Sequence, residues 1–181
     1  PIHLGHTMLA EEAKNSAKLD RVIFIPCRQS PHKSTAPGAS EHQRCEMIRL
    51  AIADFPWAVL SEIELKRKEP SYSWQTAQSF SEQFPEAELF WILGSDQWDA
   101  IERWSNPAIL AELLTFLVFP RGSEVGDKEG FRHQLINHDH PASATAVRKS
   151  RKEAKAFLAS SVYEFVAREG LYEDGSDAKE S

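Results

Sequence analysis

Residues Leu89 to Asp96 read L-F-W-I-L-G-S-D, an unbroken run of apolar side chains that stops at a glycine and two polar residues. A run this short without alternation suits a strand covered on both faces, and the Gly94 turn ends it. Val22 to Ile25 and Phe116 to Phe119 repeat the pattern on either side. Between the runs the period changes to that of a helix. Ile48, Ala51, Ile52 and Phe55 recur at i, i+3, i+4 and i+7, with Ser40 and Gln43 as a capping box at that helix's start. Ala10, Ala13 and Ala17 mark an earlier helix, and Ser160 to Arg168 a later one that Gly170 stops. Alternating strand and helix imply βαβ units, hence an α/β domain with a parallel sheet flanked by helices and ligands at the carboxyl ends of the strands. The first helix has no strand before it, so a first strand and its turn are expected ahead of Pro1. Ser123 to His140 is polar, carries Gly126 and Gly130, and reads as a surface excursion.

The 181 residues, 41% of them hydrophobic, suffice for one core. One domain is expected over residues 1–172, followed by an acidic tail at 173–181. A formal charge of −6 and a pI near 5.7 argue against a basic face that holds nucleic acid. Cys27 and Cys45 make neither a C-x-x-C pair nor a disulfide framework, which fits a reducing, cytoplasmic setting. No apolar run approaches the ~20 residues of a membrane helix, and no signal peptide stands out.

Four stretches carry chemistry. In P-I-H-L-G-H, Pro1 to His6, the spacing of His3 and His6 places both imidazoles on one side of a helical turn. Gly5 leaves room for a bulky ligand at a helix entrance, where free amides attract anions. The other reading makes both histidines capping or core residues. In P-C-R-Q-S-P-H-K, Pro26 to Lys33, the lysine rides on a loop that leaves a strand's carboxyl end and could close over a phosphate, or be a solvated surface group. In S-A-T-A-V-R, Ser143 to Arg148, two hydroxyl residues precede a helix that carries Arg148 one turn in. These donors converge on an anion, or form a plain cap with an exposed arginine. In L-G-S-D-Q-W-D-A-I-E-R-W, Leu93 to Trp104, Gly94 and Asp96 follow the strongest strand, and Trp98 and Trp104 either stack on a planar ring or belong to the core.

Taken in order, these stretches resemble the bacterial nicotinate-nucleotide adenylyltransferases of the H/T-x-G-H nucleotidyltransferase superfamily. That family carries G-G-x-F-D-P-x-H-x-G-H, P-x-x-x-P-H-K, S-Y-T-x-x-T, G-x-D followed by a tryptophan, P-R-x-G, S-S-T-x-I-R and a closing G-L-Y. Here stand P-I-H-L-G-H at 1–6, S-P-H-K at 30–33 and S-Y-S-W-Q-T at 71–76. G-S-D at 94–96, Trp104, P-R-G at 120–122, S-A-T-A-V-R at 143–148 and G-L-Y at 170–172 complete the series. Ser73 replaces the family's threonine and keeps the hydroxyl; Ala144 replaces its middle serine and removes a donor. The G-G-x-F-D turn lies outside this sequence.

The resemblance implies a Rossmann-like nucleotidyltransferase fold and transfer of AMP from ATP to nicotinic acid mononucleotide, giving the deamido dinucleotide and pyrophosphate in NAD biosynthesis. It implies that His3 and His6 contact ATP phosphates as charge builds at the α-phosphorus, that Arg148 holds the leaving polyphosphate and that Lys33 assists. Gly5, Ser143, Thr145 and Val147 belong to the ATP side, with Mg²⁺ carried chiefly by the phosphates. Ser73, Thr76, Gly94, Asp96 and Trp104 form the nicotinate side, with Arg121 ranked below them. Homo-oligomers fit this picture, whereas nucleic acid and membranes do not. Three alternatives stay open: a sibling enzyme that uses nicotinamide mononucleotide or phosphopantetheine, a nucleotide-binding protein without turnover, and a metal hydrolase built on His3 and His6 or on His138, Asp139 and His140.

Overall fold

The computed structural model describes residues 1–27, 38–68, 70–120, 124–137, 144–149 and 151–172. Helix α1 (Leu4–Ser16) leads into β1 (Val22–Phe24), α2 (Glu41–Ile52), β2 (Ala58–Leu60) and α3 (Ser73–Gln83). Then follow β3 (Leu89–Gly94), α4 (Ser95–Ala100), a 3-10 turn (Ile101–Arg103), α5 (Pro107–Leu113) and β4 (Leu114–Phe119). The chain closes with β5 (Arg132–Leu135), α6 (Ala144–Lys149), α7 (Arg151–Phe157) and α8 (Ser160–Arg168).

The apolar runs are the strands β1, β3 and β4, and every pairing among the described residues is parallel. The expected single sheet is divided: β1 pairs with β2, while β3, β4 and β5 form a separate three-stranded sheet in that order. Only β4, the central strand of three, is buried almost throughout; β1 and β3 are sheet edges with mostly half-buried side chains.

Side-chain alternation sorts β3 and β4 into two faces. Leu89, Trp91 and Leu93 stand opposite Leu114, Phe116 and Val118, and these six pack with Ala77 of α3, Trp98 of α4 and Leu110 of α5. Phe90, Ile92, Leu117 and Phe119 point the other way, into a cluster with Leu9 and Ala13 of α1. A third cluster joins Met47 of α2 to Val147, Ala154, Leu158 and Val162 of α6, α7 and α8.

Local chemistry sets the helix ends. Ser40 and Gln43 form the expected reciprocal cap, with Gln43 N–H donating to Ser40 Oγ at 3.2 Å and Ser40 N–H donating to Gln43 Oε1 at 2.9 Å. Gly170 adopts φ +62°, and the bonds Leu171 N–H to Val166 O and Gly170 N–H to Ala167 O close α8 as a Schellman motif. Phe55 falls outside α2, three residues beyond its last turn.

The Ser123–His140 stretch contains a strand where an excursion was expected. β5 pairs with β4 over Thr115 to Val118, but as an edge strand it exposes Arg132, Gln134 and Leu135, so no hydrophobic pattern marks it. Val125 and Phe131 from the same stretch pack onto the central cluster. Among the described residues no helix is long and apolar enough to cross a membrane.

Candidate active site

His3 is the residue before α1, with extended backbone (φ −144°, ψ 168°), and its main-chain N–H donates to His6 Nδ1 at 3.2 Å. His6 N–H donates in turn to His3 O at 2.8 Å. The two ring centroids lie 3.8 Å apart with planes tilted by 39°. Because Nδ1 of His6 accepts from the backbone, the ring hydrogen of the neutral imidazole resides on Nε2. That nitrogen is a donor on an exposed side chain. His3 and Gly5 beside it are buried, and no acidic residue occupies the first turn of α1, so no carboxylate there repels an anion at the helix entrance.

Ile2 ties this entrance to α6. It packs on the cluster that holds Val147, 1% exposed, and the partly buried Tyr172. Arg148 follows Val147 and is half-buried, and its charge reaches Tyr172. Burial pushes the Tyr172 phenol above its ordinary range, and the positive charges of Arg148 and Arg44 work against that shift. Arg44 of α2 also donates through Nη1 to the carbonyl of Cys27, just beyond β1. The Tyr172 ring lies against Gly38, where a Cβ would meet it at 3.5 Å. Cys27 and Gly38, the described residues on either side of 28–37, are thus contacted by Arg44 and Tyr172. Lys33 lies outside the described residues, as do Ser143, Arg121 and His138 to His140. Thr145 is exposed and sits within α6 rather than ahead of it.

Of the other sequence-predicted residues, Trp98 and Trp104 pack on the first face of β3 and β4. Gly94 ends β3 and caps α4, and Asp96 stands exposed in that helix's first turn. Trp104 is half-buried, its ring set edge-on to Trp91 at 6.5 Å and 82°. Trp98 is core: it is fully buried, and its Nε1 donates to Gly126 O at 2.9 Å. Ser73 opens α3 and is half-buried, with Tyr72 before it as N-cap.

Thr76, expected on the acceptor side, has its hydroxyl turned into the protein. It is 0% exposed; its hydroxyl donates to Glu64 Oε1 at 2.8 Å and accepts from Arg67 Nη1 at 2.9 Å. A hydroxyl so placed has its donor and an acceptor site engaged within the protein.

Sequence reasoning missed Arg44, Glu64, Arg67 and Tyr172. E-L-K-R stands just ahead of the S-Y-S-W-Q-T stretch, and Tyr172 ends G-L-Y, but neither position shows its partner in the sequence. Among the described residues no group of three or more His, Cys, Asp or Glu could hold a metal ion.

A family model described as cytidylyltransferase-like matches residues 1–150. A protein of Methylacidiphilum infernorum named "Probable nicotinate-nucleotide adenylyltransferase" is 36% identical over 177 residues, 95% of this chain and 87% of that protein. One of Hydrogenobaculum sp. with the same name is 33% identical over 185 residues, 95% of this chain and 93% of its own. Among solved structures, the Plasmodium falciparum nicotinic acid mononucleotide adenylyltransferase complexed with NaAD matches with a TM-score of 0.77 at 20% identity, covering 95% of this chain and 92% of that one. At that identity the likeness is one of fold.

Proposed function

This chain belongs to the nicotinate-nucleotide adenylyltransferase family, and we propose how its own residues divide that family's reaction. The reaction transfers AMP from ATP to nicotinic acid mononucleotide and releases pyrophosphate. An acceptor phosphate oxygen attacks the α-phosphorus while the bond to the β-phosphate oxygen breaks. No enzyme nucleophile is required, so catalysis consists of positioning and charge stabilisation.

The observation that carries the assignment is the His3–His6 turn. The backbone bond from His3 fixes the tautomer of His6, and its Nε2–H is the donor for a phosphate oxygen that gains charge in the transition state. His3 packs against it and shapes the same entrance, where Gly5 and the first amides of α1 receive the polyphosphate. Val147 anchors α6 in the core, so that Arg148 meets the leaving pyrophosphate; Lys33, Ser143 and Thr145 complete the ATP side. Imidazole and guanidinium donors suit phosphate oxygens directly, and Mg²⁺ brought in with ATP would supply charge neutralisation beside them.

On the acceptor side, Trp104 offers a flat apolar surface for the pyridine ring. Ser73, Gly94 and Asp96 line the same end, and donors among the hydroxyls and amides there pair with the nicotinate carboxylate. Arg121 stands behind these. Pyrophosphate release with ATP and Mg²⁺, offering nicotinic acid mononucleotide, nicotinamide mononucleotide and phosphopantetheine separately, tests the reading. Release with the first acceptor well above the other two is expected; an equal rate with the amide would remove the carboxylate from the account.

A further inference from the structure

Among the described residues of the expected acceptor side, Thr76 alone is wholly enclosed, and its surroundings suit it to another task. Arg67 spreads its guanidinium along the start of α3: Nη1 donates to Thr76 Oγ1 at 2.9 Å, and Nη2 donates to Gln75 O at 3.0 Å and to Ser79 Oγ at 2.6 Å. Glu64, 6% exposed, accepts from Thr76 Oγ1 at 2.8 Å. One fork therefore grips three points within one turn of the helix, and the threonine hydroxyl relays it to a carboxylate.

Stability alone does not account for this arrangement. Buried polar sets of this kind contribute little compared with apolar side chains of similar volume. A guanidinium beside the N-terminal turns also works against the helix dipole. The set instead supplies register. Tyr72, the N-cap of α3, makes no side-chain capping bond, so the first turn lacks the usual local device that fixes where a helix begins. Arg67 and Glu64 both lie on the turn that follows β2, and that turn is tied to α2 through the ion pair of Glu62 with Arg49. The start of α3 is thereby referenced to two other elements.

We propose that Arg67, Thr76 and Glu64 form a positioning set that fixes the first turn of α3, with Tyr72 and Ser73, for the acceptor nucleotide. The proposal rests on the placement of the acceptor beside Ser73. Each member acts through that turn and touches no substrate.

The test compares steady-state kinetics and thermal unfolding of the wild type, Thr76→Val, Thr76→Ser and Ser73→Ala. Thr76→Val keeps the shape but removes the relay. It should raise KM for nicotinic acid mononucleotide about tenfold while KM for ATP stays within about twofold. Thr76→Ser should restore the acceptor KM. A lower Tm with unchanged acceptor KM, or a parallel rise in both KM values, would overturn the positioning role. Should Thr76→Val fail to fold, Arg67→Gln gives the same readout by removing the fork from outside the helix. Ser73→Ala separates the two layers. If it shifts the acceptor KM and Thr76→Val does not, the positioning set fails alone; if it shifts nothing while Thr76→Val does, the placement of the acceptor beside Ser73 fails and the proposal fails with it.

Discussion

The helix entrance at His3–His6 and the platform around Ser73 and Trp104 are built on different length scales. The first is local: its defining bond joins residues three apart, and the turn that makes it is written in four letters. The second is assembled from a distance. Its bonds span nine residues from Arg67 to Thr76, twelve from Glu64 to Thr76 and twenty-eight from Trp98 to Gly126. A local site needs only its helix to form, whereas an assembled one needs the surrounding core intact. Damage to the core should therefore fall on the acceptor side, and damage to the short turn should leave the fold unaffected.

Trp98→Ala is the severest way to break that contrast. The side chain is fully enclosed against Phe116, Phe131 and His133, and its loss leaves a cavity and an unpartnered Gly126 carbonyl. Urea unfolding should show a loss of about 3–5 kcal/mol. A loss below about 1 kcal/mol would mean that the platform is not held by this core.

His6→Ala should do the reverse. The side chain is exposed, so Tm should change by only a few degrees, on the order of the 1 kcal/mol that one hydrogen bond contributes. Turnover should fall about 10²–10³-fold, the scale seen when one donor to a developing oxyanion is removed. Near-normal turnover in a folded variant would take His6 out of the chemistry.

This difference in scale also explains what the sequence discloses. β1, β3, β4, the Ser40 cap and the Gly170 stop were legible because each rests on a short pattern of burial or backbone demand. β5 was not, since an edge strand that reads Arg-His-Gln-Leu has no apolar alternation. The His3–Gly5–His6 turn could be found as a motif. The separation of Trp98 from Trp104 could not: both follow the same strand, and only packing decides that one is enclosed and the other half-open. Thr76 illustrates the limit most sharply. Its place in the motif marked it as important, but its partners stand nine and twelve residues upstream in a charged stretch that looks like solvated surface.

Trp104→Ala sharpens the comparison within the platform itself. Trp104 meets Trp91 only edge-on, so truncation should cost less stability than at Trp98. KM for nicotinic acid mononucleotide should rise about tenfold, the scale of one lost aromatic contact, with ATP little affected. Equal weakening of both substrates would count against stacking at this position.

The smallest expected effect probes the ATP side through Tyr172, and its sign follows from burial. The phenol's folded pKa lies above its ordinary value of 10.0, chiefly because burial disfavours the phenolate, with Arg148 and Arg44 opposing. The stability this confers is therefore complete below the unfolded value and is lost as pH rises through the folded one. Tyr172→Phe cannot ionise. Its Tm should track the wild type up to about pH 9, and the wild type should lose ground against it toward about pH 11. Curves that stay parallel across that window would place Tyr172 in water and detach it from the guanidinium groups. Bound ATP adds a second discrimination. A polyphosphate drawn to Arg148 cancels part of the charge that favours the phenolate, so saturating nucleotide should deepen the wild-type loss relative to Tyr172→Phe and extend it to higher pH. An acceptor that makes no contact with those arginines should leave it unchanged.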